Sequence, residues 1–427
     1  MKKLLLAGLL QSTALFLFAQ KADDIINVKE AERIEKVLAA DNMRGRKAFT
    51  ADADKAADFI ANEFKQAGLK TVDSGNSYLQ YFSMIRPKFI SASGTADGKA
   101  LEQKNIIVIT SQPDLKVDQS AGYEKVMIKK GDNFFMEAYK CIKSGKNYFV
   151  IVDTSFAKNF PRLAQFKSSM FKSDKSVVFI LSYKEPSAFS IEAKHEITEQ
   201  RLENVVGILP GKSKKDEYVI FSGHYDHIGI GKPVNGDSIN NGANDDASGT
   251  TAVILLAKYF KALNNNERTI VFTTFTAEEA GGFGSQYFSR QFDPAKVMAM
   301  FNIEMIGTES KWGTNSAYIT GYEKTDMGKI LQKNLEGTGF TFYPDPYTQE
   351  QLFYRSDNAT LARQGVPAHT ISTSKMDNEP NYHKVSDQVE TLDMKNMAMI
   401  IKSIALSSKT IISGADTPTR VDVNDLR

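Results

Sequence analysis

Histidine and acidic residues recur in five short segments between residues 224 and 383 of this sequence. The segments are His224-Tyr225-Asp226, the loop around Asp245, Glu278-Glu279, Glu304 and His383. Three of the five histidines in the chain lie in or beside these segments. Imidazole and carboxylate groups together bind zinc and similar divalent ions. Two such ions bridged by a carboxylate activate water at neutral pH, so the inventory predicts hydrolysis at a two-metal site.

The first two segments have plainer explanations when each is taken alone. His224 and Asp226 are two residues apart at a strand end, so Asp226 could orient the imidazole instead of binding metal. Asp245 precedes a predicted helix and could cap it. Gly242 and Gly249 around it favour a tight loop that presents one carboxylate. We therefore expect Asp245 to bridge two cations.

The remaining segments supply the other groups that hydrolysis needs. Glu278 is expected to act as general base and Glu279 as metal ligand, the alternative being two solvated acids at a helix start. Glu304 stands in an apolar run, where an unpaired carboxylate is costly. His383 completes the ligand set, and Tyr382 before it is expected to donate its hydroxyl to a developing oxyanion.

From Leu202 onward, short apolar strands alternate with amphipathic helices, as in the strand 218–222, the helix 247–263 and the strand 269–275. This rhythm predicts an α/β fold, a three-layer sandwich around a mostly parallel central sheet. Such sheets bind ligands at the carboxyl ends of their strands. Every segment that carries potential metal ligands, except the one with His383, directly follows a predicted strand.

Residues 85–200 have a different sequence pattern from the region after Leu202, because short predicted strands alternate there with Lys-rich polar stretches. We predict a smaller inserted α+β module over this range, able to cover or shape a cleft, within a catalytic domain of residues 21–84 and 201–413. Its lone His195 is expected at the surface. Cys141, among apolar residues, is expected to be buried and inert. The polar tail 414–427 is predicted to be flexible.

Residues 1–20 are typical of a secretory leader. Lys2 and Lys3 precede an apolar run that ends near Ala19, so we predict export to the periplasm or exterior after cleavage near Ala19 or Gln20. An uncleaved membrane anchor is the alternative, but polar residues interrupt a run already short for a bilayer span. The mature protein is expected to have no membrane association.

The overall charge is close to neutral, with 53 Lys and Arg against 51 Asp and Glu. Nucleic-acid-binding proteins favour a strongly basic face. The balance therefore argues against nucleic acid as a partner and leaves small molecules and peptides.

Taken together, these residues make the segment from Leu202 to Leu392 resemble the aminopeptidase-like zinc exopeptidases of metallopeptidase family twenty-eight, which includes leucyl aminopeptidases and glutamate carboxypeptidases. The resemblance implies two Zn2+ ions per chain and a cis peptide bond between Asp245 and Asp246. It implies the following roles: His224 and Glu304 hold one zinc, Glu279 and His383 hold the other, Asp245 bridges them, Asp226 supports His224, Glu278 is general base and acid, and Tyr382 polarises the scissile carbonyl.

The chain departs from this family's pattern at two positions. Most relatives carry Asp where this chain has Glu304, and His often stands where it has Asn358, which we do not count as catalytic. His227 is left open, since it could line the cleft or donate a structural hydrogen bond. The 85–200 segment lies where several relatives carry a protease-associated insert.

An exported aminopeptidase acting on peptides is the main functional prediction. A carboxypeptidase or dipeptidase of the same fold would need cationic groups near the cleft, and Arg355 and Lys384 are candidates. A glutaminyl cyclase would use one zinc, which the five-ligand inventory disfavours. A non-catalytic receptor-like relative would be expected to have lost ligands or the base.

Overall fold

The computed structural model describes residues 22–72 and 75–426. These residues form two compact units: a large unit, made of the described residues between 22 and 81 and between 202 and 426, and an insert, Phe82–Arg201. The leader predicted over residues 1–20 lies outside the described residues. Within the described residues, no helix combines the length and apolar character that a membrane span requires.

The secondary structure alternates between strands and helices over most of the chain. The strands are β1 (Leu79–Ala96), β2 (Lys99–Ala100), β3 (Ile106–Ile109), β4 (Asp114–Asp118), β5 (Glu124–Ile128), β6 (Tyr148–Val152), β7 (Met170–Phe171), β8 (Val177–Leu181), β9 (Phe189–Leu209), β10 (Lys214–His224), β11 (Gly229–Val234), β12 (Asp237–Asn240), β13 (Arg268–Phe275), β14 (Val297–Ile303), β15 (Ser316–Ile319), β16 (Thr341–Pro344) and β17 (Ala368–Ser372). The helices are α1 (Val28–Leu38), α2 (Ala51–Ala67), α3 (Phe134–Lys143), α4 (Ser248–Leu263), α5 (Phe283–Ser289), α6 (Met327–Asn334), α7 (Asn358–Ala362), α8 (Met394–Ser407) and α9 (Lys409–Ser413).

The central sheet of the large unit is mostly parallel, which confirms the predicted fold class. Its strand order is β16-β15-β17-β14-β10-β13-β9. β10 pairs in parallel with both β13 and β14, and β14 pairs in parallel with β17. Every residue of β13 is buried. A continuous buried apolar run is typical of a parallel strand covered on both faces.

Neighbouring residues of one strand belong to different apolar clusters, as expected for a three-layer sandwich. Val219 and Phe221 pack in a cluster with residues of α1, α2, α4 and α8, whereas Ile220 packs in a second cluster with residues of α5 and α7. The Phe221 ring stacks on Phe301, with ring centroids 4.8 Å apart. This stack joins β10 to β14 directly below the strand ends.

The insert contains its own four-stranded sheet, in the order β3-β8-β6-β5. β5, β6 and β8 run parallel, and apolar clusters cover both faces of β6. The thiol of Cys141 is buried, as predicted.

The prediction of a surface position for His195 is wrong. His195 is 3% exposed, because the alternation along β9 turns Ile191, Ala193 and His195 inward while Lys194 and Glu196 face outward. The Lys167 ammonium donates to His195 Nε2 at 3.2 Å. Burial, reinforced by the charge of Lys167, lowers the pKa of His195 to about 4.

The tail predicted to be flexible instead makes specific contacts with the large unit. Arg268 donates to the carbonyl of Asp416 at 2.8 Å, and Arg420 donates to the carbonyl of Val297 at 2.7 Å. The amide of Val421 donates to the carbonyl of Gly365, and its side chain is buried. Polar composition was a poor guide here because the tail is held through main-chain carbonyls and arginine side chains.

Candidate metal centre

The predicted site residues come together where three parallel strands end. β10 ends at His224, β13 leads through Thr276 and Ala277 into Glu278, and Glu304 directly follows β14. His224 lies opposite Phe275 in the register of β10 and β13. Carboxyl ends of neighbouring parallel strands share one edge of a sheet, so residues far apart in sequence become neighbours.

His224, Asp245 and Glu304 form a first group of potential ligands, called here the three-donor group. His224 Nε2 lies 3.3 Å from Asp245 Oδ1. The other ring nitrogen, Nδ1, lies 3.0 Å from the main-chain carbonyl of Asp226, whereas the Asp226 carboxylate is 3.8 Å away. A ligating imidazole usually donates its second N–H to such an acceptor. Asp226 therefore orients His224 mainly through its backbone.

His227, Asp245, Glu279 and His383 form a second group, called here the four-donor group. His383 Nε2 lies 3.0 Å from Glu279 Oε1 and 3.2 Å from Asp245 Oδ2. His227 Nδ1 lies 3.0 Å from Glu279 Oε1 and 3.8 Å from Asp245 Oδ2. The two oxygens of Asp245 thus face different groups, Oδ1 the first and Oδ2 the second.

These residues fit divalent metal ions. Bonds of about 2.0–2.1 Å in a tetrahedral shell place neighbouring ligand atoms about 3.3 Å apart, close to the separations seen here. Several of the converging atoms are buried and meet no hydrogen-bond partner of suitable geometry within the described residues. They are His224 Nε2, Asp245 Oδ2, Glu279 Oε1 and Glu304 Oε2. Imidazole with carboxylate is the donor chemistry of zinc.

Glu278 is set apart from the ligand groups by its own contacts. Its amide donates to Asp226 Oδ1 at 3.0 Å, which holds the backbone of the Glu278-Glu279 pair. Burial raises the pKa of Glu278 well above its ordinary value; the charge of His224 opposes the shift, and those of Glu304 and Asp357 add to it. A raised pKa makes a carboxylate a stronger proton acceptor, as a general base requires.

The histidines of the centre respond to their acidic neighbours. Contacts with Asp245 and Glu279 raise the pKa of His383 to about 10. Burial lowers the pKa of His224, but Asp245 and Glu278 outweigh it and leave that pKa well above its ordinary value. Metal ions compete with protons for such nitrogens.

Comparison with known proteins agrees with this geometry. Residues 204–407 match the model of peptidase family M28. This region belongs to peptidase family M28. A leucine aminopeptidase 1 from Metarhizium robertsii is 24% identical over 313 residues, 66% of this chain and 76% of that protein. A probable zinc metalloprotease from Pyrenophora teres f. teres is 37% identical over 248 residues, 52% of this chain and 50% of that protein.

Solved structures share the fold of the M28 region. An aminopeptidase from Aneurinibacillus sp. strain AM-1 has a TM-score of 0.55 at 16% identity and covers 95% of this chain and 98% of its own. A zinc aminopeptidase from Bacillus subtilis has a TM-score of 0.54 at 17% identity, covering 90% and 95%. The chain spans about half the length of several curated relatives that it matches.

A cleft adjoins the metal centre of the M28 region. It is lined by Glu304, Met305, Tyr318, Leu352, Arg355, Met376 and Tyr382, together with several hydroxyl side chains. The Tyr382 ring stacks on His383 with centroids 4.0 Å apart. Burial and the charges of Asp245 and Glu279 raise the pKa of Tyr382, so its hydroxyl is a proton donor at neutral pH.

Three residues that support the loops of the metal centre were not predicted from the sequence. Asp246, joined to Asp245 by a cis peptide bond, accepts from the amides of His224, Gly249 and Met305 at 3.0, 3.0 and 3.1 Å. Asp387 accepts from the amides of Asn244 and Asp245 at 2.8 and 3.0 Å. Buried Arg46 donates to the carbonyls of Leu38, Tyr225, Asn241 and Gly242.

The acidic pair in Asn244-Asp245-Asp246 was a usable signal for Asp246. Arg46 left none, because it comes from the amino-terminal segment, far from every motif. Asn358 donates to the carbonyls of Phe353 and Ala368 and accepts from Thr370 Oγ1, which is a structural role.

Proposed function

We propose that this protein is an exported di-zinc aminopeptidase that removes amino-terminal residues from peptides. One observation carries the proposal: the two oxygens of the buried Asp245 face two separate groups of potential ligands. A carboxylate in that position suits a bridge between two cations. The similarity to curated leucine aminopeptidases supports a peptide substrate.

In this proposal each side chain has one role. His224 and Glu304 would hold one zinc, Glu279 and His383 would hold the other, and Asp245 would serve both. Bound zinc would polarise the scissile carbonyl and lower the pKa of a coordinated water. Glu278 accepts a proton from the attacking water and returns it to the leaving amine as the C–N bond breaks and a C–O bond replaces it. Tyr382 donates its hydroxyl to the developing oxyanion.

Arg355 and Lys384 are the two side chains that could bind a terminal carboxylate, and their contacts favour an aminopeptidase over a carboxypeptidase. A terminal carboxylate would need a cation free to receive it. Arg355 pairs with Glu350 at 3.1 Å, and Lys384 Nζ donates to the carbonyl of Pro380.

The test is a panel of aminoacyl reporter substrates beside amino-blocked peptides, each with and without a chelator. We expect hydrolysis of the free-amine substrates alone, abolished by the chelator and restored by Zn2+. Cleavage of blocked peptides at a comparable rate would contradict the aminopeptidase assignment. Amino-terminal sequencing of the protein recovered outside the cytoplasm tests export and cleavage near Ala19 or Gln20.

A further inference from the structure

We propose that His227 is a metal ligand, so that the two ion positions are unequal: one has four protein donors and the other has three. The inference rests on the metal sites of the proposed function and adds to them. The four-donor group then consists of His227, Asp245, Glu279 and His383, and the three-donor group of His224, Asp245 and Glu304.

The backbone places the His227 ring inside the centre. Its amide donates to the carbonyl of Arg46 at 3.3 Å, and the side chain is fully buried. One face of the ring packs against Gly242, where an added Cβ would come within 2.6 Å of ring atoms. A glycine fits there because an added Cβ would clash with the His227 ring and with the main-chain oxygen of Asp245.

His227 and His383 approach the same two carboxylate oxygens. Each imidazole has a nitrogen 3.0 Å from Glu279 Oε1, and the distances to Asp245 Oδ2 are 3.8 Å and 3.2 Å. The ring centroids are 5.5 Å apart and the rings are inclined by 74°. Two rings from different loops therefore point two nitrogens at one pair of oxygens.

Charge and donor type favour a divalent ion among these atoms. Two carboxylates carry two negative charges, and burying them without compensation is costly. A divalent cation cancels both charges and uses both imidazoles in their neutral form. Two nitrogens and two carboxylate oxygens make a complete tetrahedral zinc shell, whereas three protein donors are typical of catalytic zinc.

The competing role for His227 is a hydrogen bond from Nδ1 to Glu279, which would only position that carboxylate. Asparagine distinguishes the two roles, because its amide nitrogen can occupy the place of Nδ1 and donate to Glu279. It is a far weaker zinc ligand than imidazole. His227→Asn should therefore rescue a positioning role and fail to rescue a ligand role.

The experiment measures zinc affinity without substrate, by chelator competition with the metal content read by mass spectrometry. The chains are wild type, His227→Asn, His227→Ala, His224→Asn and, as a control buried histidine, His369→Asn. We expect two release steps in the wild type. Both His227 variants should weaken the tighter step by more than about 100-fold, beyond what loss of a supporting residue usually costs. His224→Asn should affect the looser step, and His369→Asn neither.

Tighter-step affinity within about 100-fold of wild type in either His227 variant would overturn the inference. If the variants fail to fold, anomalous diffraction from zinc-soaked wild-type crystals decides the question. Nδ1 of His227 at about 2.1 Å from an ion supports a ligand role, and a separation beyond about 3 Å overturns it. Metal affinity and hydrolysis are separate readouts, so failure of the aminopeptidase assay would leave this result readable.

Discussion

Parallel strands end at polar residues in both units of this molecule, but among the described residues only the edge in the large unit gathers a group of potential metal ligands. β10, β13 and β14 in the large unit and β5, β6 and β8 in the insert share parallel pairing around a central strand whose carboxyl-terminal half is buried, β10 in the first case and β6 in the second. Sheet geometry alone therefore does not account for the metal centre.

The two edges differ in how their polar groups are satisfied. After β6, Asp153 accepts from the amide of Ser155 at 2.8 Å; after β5, Asp132 accepts from the amide of Lys129 at 2.7 Å. These contacts close local turns. His224, Asp245 and Glu304 instead face one another across loops that are distant in sequence. The candidate site forms where polar side chains at strand ends contact one another and not the main-chain amides of local turns.

The comparison is tested most strongly by removing the proposed base from the large-unit edge. We expect Glu278→Gln to lower kcat by about 10²–10⁴-fold, the usual contribution of a general base, with the zinc content unchanged. Glu137→Gln is the matched control, because Glu137 lies on α3 of the insert and pairs with Lys140. Loss of zinc in Glu278→Gln would mean that the roles of Glu278 and Glu279 are exchanged.

Tyr382 tests whether the edge supplies a donor besides the metal ions. Tyr382→Phe should lower kcat by about 10²–10³-fold, the range for loss of one oxyanion donor, and leave KM nearly unchanged. Tyr354→Phe is a suitable control. Steady-state kinetics with an aminoacyl reporter make the measurement. A variant that changes KM alone would assign Tyr382 to substrate binding.

His369 is a buried histidine of the large unit whose ring nitrogens face a main-chain carbonyl and a hydroxyl and not carboxylates, and it sharpens the contrast with the centre. Thr320 O and Thr325 Oγ1 each lie 2.8 Å from its ring nitrogens, and burial lowers its pKa to about 4. The unfolded chain takes up a proton near pH 6.5 and the folded chain does not, so stability is full above that pH and falls on acidification.

The expected loss from this one group is about 3 kcal/mol in the free energy of unfolding between pH 7 and pH 4. Urea unfolding of wild type and His369→Asn at both pH values, with chelator present, measures it. The variant should be less stable at pH 7. Between pH 7 and pH 4, its free energy of unfolding should fall by about 3 kcal/mol less than that of the wild type. Equal slopes in the two chains would contradict the assigned neutral state.

The smallest expected effect concerns the insert edge. Asp153→Ala removes a side-chain contact that caps a local turn, and should lower the free energy of unfolding by about 1 kcal/mol. Zinc content and kcat should stay at wild-type values. A loss of zinc would show that the insert edge is coupled to the centre and would break the comparison.

Much of the architecture followed from local patterns in the sequence. The alternation of short apolar strands with amphipathic helices predicted elements from Leu202 onward, and β10, α4 and β13 form where the strand 218–222, the helix 247–263 and the strand 269–275 were expected. The alternation along β9 buries His195, whereas its charged neighbours Lys194 and Glu196 had indicated a surface position. The contacts that hold residues 414–426 are made with main-chain carbonyls and leave no mark on composition.

The sequence by itself determined the fold class and which residue types stand at the strand ends, because both depend on local periodicity and side-chain chemistry. Only the tertiary structure decided which nitrogen faces which oxygen. It brought His227 beside Glu279, turned the backbone of Asp226 toward His224, and placed Arg46 and Asp387 beneath the loops. Those contacts depend on strand register and loop packing, and the contacts of Arg46 and Asp387 join residues more than a hundred positions apart, which a local pattern does not encode.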